Sequence, residues 1–151
     1  MKRDWREGDV LPPVSLPLTL RRAIQAVAGT RDFYPVHHDE RAARANGAQT
    51  IFFNTMFLQA FAGRAACEWF GNDAFMRRLE VAMRGPNYID RTLTAQGTVT
   101  AVREDGGRCL VDADVIFSTE DGPTTSVKLT VQLPVQTASW ALTGERSSRG
   151  G

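Results

Sequence analysis

From about Asn54 to Phe70 the chain reads as one long helix with apolar groups on nearly every side: Met56, Phe57, Leu58, Ala60, Phe61, Ala65, Trp69 and Phe70, with Ala62, Gly63 and Ala66 small enough for close backbone approach. A helix of that kind has to be covered by something wrapped around it. Three downstream runs of period two supply the wrapper. Leu93, Ala95, Val99 and Ala101 alternate with polar residues up to the turn Glu104-Asp105-Gly106-Gly107. Cys109, Val111, Ala113, Val115 and Phe117 repeat that period up to Glu120-Asp121-Gly122-Pro123, and Val127, Leu129, Val131 and Leu133 repeat it again up to Pro134. Such runs between Gly-containing turns predict an antiparallel meander with one buried face. Leu79, Val81 and Met83 add a strand that stops at Gly85-Pro86-Asn87. The fold class is therefore α+β, with a sheet curled around a helix.

At 151 residues, 42% of them apolar, the chain has enough material for one sizeable core. We expect a single domain over residues 1–142 and a flexible Gly/Ser/Arg-rich tail over 143–151. A net charge of +1 argues against sequence-independent nucleic-acid binding, which needs concentrated positive charge. The stretch Ile51 to Phe70 is interrupted by Asn54, Gln59, Arg64 and Glu68, which makes it a poor membrane span. No apolar leader follows Met1, so the cytoplasm is the expected address. Cys67 and Cys109 read as reduced, buried thiols, and two adjacent histidines do not make a zinc site, so neither metal nor cofactor is expected.

Upstream, Pro12, Pro13 and Pro17 suggest an extended arm with at most one short strand near Val10. Thr19 is placed to cap a short helix that ends at Gly29, and Asp39 to cap another over Glu40 to Ala45. Between them lies Asp32-Phe33-Tyr34-Pro35-Val36-His37. A helix would turn Asp32 and His37 roughly 140° apart, and a strand would send them to opposite faces. Pro35 fixes its own φ and holds Tyr34 extended, so the segment reads as a stiff bent loop that can aim both groups at one point. A carboxylate and an imidazole around one point suit proton transfer. The plainer alternative is a turn in which Asp32 caps its own backbone.

The run Gly29 to Asp39, followed by Ala42-Ala43, Asn46-Gly47 and Ile51-Phe52-Phe53-Asn54-Thr55, resembles the signature of the MaoC-like (R)-specific enoyl-CoA hydratases of the hot dog superfamily. Asp32, Pro35, Val36, His37 and Gly47 match its Asp-x-Asn-Pro-(Ile/Val)-His pattern and the glycine that follows, and the helix-then-sheet order fits from about Leu18 to Leu133. The Arg-Asp-x-x-x-Val-His-His-Asp run and Asn54-Thr55 look closer still to the small subunits of heteromeric hydratases acting on steroid side-chain enoyl-CoA thioesters. Tyr34 stands where the family has Asn, and Asn54-Thr55 where it has His-Gly.

The resemblance implies a hydratase for a trans-2-enoyl-CoA, with an acyl-CoA thioester as substrate and a homodimer or a heteromer with a second hot dog chain. It assigns Asp32 and His37 to catalysis, and Asn54, Thr55 and Tyr34 to the thioester oxygen and substrate. Arg78, Arg84, Arg91 and Lys128 are candidates for the CoA phosphates, and Phe33, Tyr34, Phe52, Phe53, Phe57 and Phe61 for a bulky acyl pocket. Two alternatives stand beside it. A non-catalytic hot dog subunit would complete a partner's pocket, which the Tyr34 and Asn54-Thr55 departures favour. A thioesterase on the same fold would want a carboxylate on the long helix, where only Glu68 stands, placed to pair with Arg64.

Overall fold

The computed structural model describes residues 4–134, so the tail expected over 143–151 and the two ends of the range 1–142 lie outside the described residues. In chain order the elements are β1 (Val10–Leu18), α1 (Leu20–Thr30), a 3₁₀ turn (Pro35–His37), α2 (Glu40–Ala45), α3 (Thr55–Phe70), β2 (Phe75–Met83), β3 (Arg91–Asp105), β4 (Arg108–Thr119) and β5 (Gly122–Gln132). The strands form one antiparallel sheet in the order β1-β3-β4-β5-β2. The meander β3-β4-β5 is its centre, as the three period-two runs predict.

The arm before Leu18 differs from expectation: it is a nine-residue strand. Its prolines are tolerated because β1 is an edge strand, pairing among the described residues only with β3, and because a bulge between Leu11 and Val14 takes Pro12 and Pro13 out of the ladder. The carbonyl left there is used, since Trp69 Nε1–H donates to Pro12 O at 2.7 Å. The first helix also runs past Gly29 to Thr30, and it is Arg31, at φ 57°, that ends it in the left-handed conformation. Caps at Thr19 and Asp39 form as expected, each side chain accepting from amides of the first turn.

α3 lies against the sheet. Leu58, Phe61, Ala62, Ala65, Ala66, Trp69 and Phe70 are buried against core residues such as Val99, Val115, Phe117 and Leu129. Each fully buried Leu or Phe contributes roughly 1.5–3 kcal/mol, so this face holds the helix in place. The wrapping is not complete, however: Met56, Gln59, Ala60, Arg64, Cys67 and Glu68 face outward. Arg64 and Glu68 form the expected i,i+4 pair at 2.9 Å. The thiols correct another expectation, for Cys67 is exposed and Cys109 half-buried, both free. Among the described residues no helix is long and apolar enough to cross a membrane.

Two features fix the approach to α3. Residues 51–53 run beside 87–89, with Phe53 N–H donating to Asn87 O at 2.9 Å and Ile89 N–H to Ile51 O at 3.0 Å. Asn87, itself fully buried, is clipped to β5 through the Thr124 hydroxyl at 2.6 Å. Asn54 then caps α3 by accepting from Phe57 N–H at 2.9 Å.

Candidate active site

The 3₁₀ turn is what folds the Asp32–His37 segment back on itself. Tyr34, held extended before the proline (φ −61°, ψ 124°), is its cap, and Pro35 takes the first position, where a missing N–H does no harm. His37 N–H donates to Tyr34 O at 3.1 Å, while His38 and Asp39 N–H converge on Pro35 O. The result brings His37 Nε2 to 3.5 Å from Asp32 Oδ2. Asp32 also does what the plainer alternative suggests, since its Oδ1 lies 3.4 Å from Tyr34 N.

Both groups are held by partners distant in sequence. His37 is 8% exposed and its Nδ1 lies 2.7 Å from Phe52 O. A carbonyl oxygen only accepts, so Nδ1 carries a hydrogen, and in the neutral ring Nε2, the atom facing Asp32, is the proton acceptor. The Phe52 ring meets the imidazole edge-on at 5.0 Å and the Tyr34 ring at 6.1 Å. Asp32 Oδ2 accepts from Asn54 Nδ2 at 3.1 Å. A separation of 3.5 Å is long for a direct hydrogen bond, yet suits two groups sharing one water. His38 is exposed and lines a separate open groove of about 700 Å³ with Asp39 and Ile24.

The remaining sequence candidates are sorted by the fold. Thr55 opens α3, so its amide belongs to the helix N-terminus, where partial positive charge gathers. Tyr34 is 56% exposed, with its ring near His37, and Phe33 is 65% exposed. Of the aromatic candidates for an acyl wall, Phe53 and Phe61 are spent on the core, whereas Phe52 and Tyr34 line the site. The Asn54 side chain bonds Asp32, Thr30 and the Phe57 amide, with both of its N–H groups used inside the chain. Phe52 O is a site group the sequence reading missed, because a backbone carbonyl leaves no signature.

The candidate CoA-phosphate cations do not gather at the dyad. Arg78 and Lys128 line a groove of about 540 Å³ on the sheet face turned away from α3, shared with Arg103 and Asp112. Burial pushes Asp112 up, but hydrogen bonds from Arg103 and Thr130 outweigh it and hold the carboxyl below its usual range. Arg91 is tied to Asp121 at 2.7 Å, whose hydrogen bond and charge raise the guanidinium further. Arg84 follows β2 and its backbone N–H donates to Thr124 O at 2.7 Å.

No model of a known protein family matches the chain. It is 33% identical over 97 residues, covering 64% of this chain and 75% of the relative, to the 3-oxo-4,17-pregnadiene-20-carboxyl-CoA hydratase beta subunit of Mycobacterium tuberculosis. Among solved structures it is similar to the ChsH1-ChsH2 complex of M. tuberculosis (28% identity, TM-score 0.79, covering 85% of this chain and 98% of that one). It is similar in fold to the (R)-hydratase of A. caviae involved in PHA biosynthesis (21%, TM-score 0.77, 88% and 100%). The same holds for the HadBC (3R)-hydroxyacyl-ACP dehydratase complex of M. tuberculosis (15%, TM-score 0.74, 87% and 99%).

Proposed function

We propose, from the premise that this chain belongs to the MaoC-like enoyl-CoA hydratase family of hot dog proteins, that it carries the catalytic dyad of a hydratase adding water reversibly across a trans-2-enoyl-CoA. The product is a 3-hydroxyacyl-CoA, and the acyl group is bulky, of the steroid side-chain kind named for its mycobacterial relative. The observation that carries this reading is the convergence of His37 Nε2 and Asp32 Oδ2, with the imidazole tautomer set by Phe52 O.

The chemistry follows from that geometry. A water held between Nε2 and the carboxylate loses one proton to the dyad as its oxygen bonds C3. The dyad returns one proton to C2, ending in the protonation state in which it began. Negative charge that builds on the thioester oxygen meets the N-terminus of α3, where the Thr55 amide and the helix dipole favour it. The reverse sequence dehydrates the 3-hydroxyacyl thioester.

A second hot dog chain completes the site in this reading. Phe33 and Tyr34 stand exposed next to Asp32 in the chain, and among the described residues β2 leaves one edge of the sheet unpaired while exposing Phe75 and Met83. Exposed edges with apolar side chains favour pairing with another strand. The two M. tuberculosis complexes similar to this chain are themselves assemblies of two kinds of chain.

The test is hydration of a trans-2-enoyl-CoA, followed by loss of the conjugated chromophore, by the chain alone and with its hot dog partner. Asp32→Asn and His37→Ala should each slow it by roughly 10² or more, and His38→Ala only mildly. Full-rate hydration by complexes bearing the first two substitutions would move the chemistry to the partner and leave this chain a pocket-forming subunit.

A further inference from the structure

Both N–H groups of the Asn54 side-chain amide are used inside the chain, and its oxygen caps α3. The residue is 4% exposed, its oxygen accepts from Phe57 N–H at 2.9 Å, and its nitrogen lies 2.9 Å from Thr30 Oγ1 and 3.1 Å from Asp32 Oδ2. Thr30 spends its own hydroxyl hydrogen on Ala26 O at 2.7 Å, so toward Asn54 it can only accept. The two amide hydrogens therefore have one acceptor each. The flipped amide is excluded by the same partners, because it would set oxygen against the Asp32 carboxylate and N–H against the Phe57 N–H.

We propose that Asn54 is a positioning residue for the hydration reaction: it locks the Asp32 carboxylate onto the first turn of α3 and so aims it at His37. The oxygen that Asn54 holds is the one that faces Nε2. Its own place is fixed by the cap on α3 and by the preceding residues, for Phe53 is pinned to Asn87 and Phe52 O holds His37. One short segment, Phe52 to Asn54, thereby sets the orientation of both members of the dyad. No smaller or simpler capping side chain does both jobs. Serine and threonine cap a helix but are too short to reach Asp32, and aspartate caps but brings an acceptor where a donor is needed.

This inference rests on the proposed hydratase reading, and the experiment separates the two. Asn54→Ser and Asn54→Asp, both of which keep a capping oxygen for α3, are compared with Asp32→Asn and with the Asp32→Asn/Asn54→Ser double variant, each in the complex that hydrates trans-2-enoyl-CoA. We expect Asn54→Ser and Asn54→Asp to melt as cooperative folded proteins and to lose about 10² in kcat, the scale of a misplaced reacting group, with KM changed by no more than a few-fold. In the Asp32→Asn background, Asn54→Ser should cost nothing more, since it acts through that carboxylate. Folded Asn54 variants with wild-type kcat, while Asp32→Asn is slow, would overturn the positioning role and leave the hydratase reading standing. Losses that multiply in the double variant would also overturn it, by showing that Asn54 acts on substrate directly. An Asp32→Asn complex that hydrates at full rate would instead bring down the hydratase reading, and this inference with it.

Discussion

Gly97 is the point at which the sheet has no room for a side chain. It sits in β3 opposite Leu11 of β1 and Val115 of β4. A Cβ added there would lie 2.6 Å from Asp114 O and 2.7 Å from Val115 Cγ2, short of the 3.4 Å at which ordinary contact begins by about 0.8 Å at the nearer atom. That atom is backbone in a paired strand, so it cannot swing aside as a side-chain tip would. Overpacking costs about 1–3 kcal/mol, and this site falls in the upper part of that range. Removing glycine's freedom from the unfolded chain returns about 0.4–1 kcal/mol. The net loss for Gly97→Ala is therefore about 2 kcal/mol, which in a chain of this size lowers Tm by about 4–8 °C. Gly29, inside α1 with nothing within 4 Å of its added Cβ, is the control. Gly29→Ala should raise stability by about 0.5–1 kcal/mol through helix propensity alone. Thermal melts of both variants by circular dichroism decide the matter. Gly97→Ala melting at or above the unsubstituted protein would refute the close-approach argument.

Two further outcomes concern the polar parts of the fold. Asn87→Ala should lower the urea midpoint by an amount worth about 1–3 kcal/mol with the slope unchanged, because it removes the shortest bond of the buried Thr124 hydroxyl and leaves it only Phe117 O at 3.3 Å and Thr125 Oγ1 at 3.4 Å. Glu120, drawn down by the Thr92 N–H, and Asp112, drawn down by Arg103 and Thr130 against its burial, both titrate below the ordinary carboxylate value when folded. Their stabilisation is therefore complete above the unfolded-state values, about 4, and is lost as pH falls through the lower folded ones. An Asp112→Asn/Glu120→Gln variant should accordingly show a shallower fall in Tm over that acid range, and an unchanged slope would count against the assignment.

What the sequence disclosed was whatever local pattern encodes. Alternation in β3, β4 and β5, the caps at Thr19 and Asp39, and the Arg64–Glu68 pair all depend on neighbours within a few residues, and all are found where the pattern puts them. β1 was hidden because prolines argue against a strand unless it is known to lie at an edge. The exposed side of α3 was hidden too, because Met56, Ala60 and Cys67 are apolar in composition and only the sheet's reach decides what it covers. At the site, the Asp-x-x-Pro-x-His spacing is enough to suggest convergence. It says nothing of Phe52 O or of the Asn54 amide, which reach His37 and Asp32 across 15 and 22 residues.

The most direct measurement of the central claim is the Asp32→Asn/His37→Ala double variant, assayed for trans-2-enoyl-CoA hydration in the complex beside its two single variants. If the two groups hold one water, the first substitution already disables it, and the double variant should be little slower than the slower single one. Rate losses that multiply would mean that Asp32 and His37 do separate jobs, and full activity in the double variant would mean that they do none.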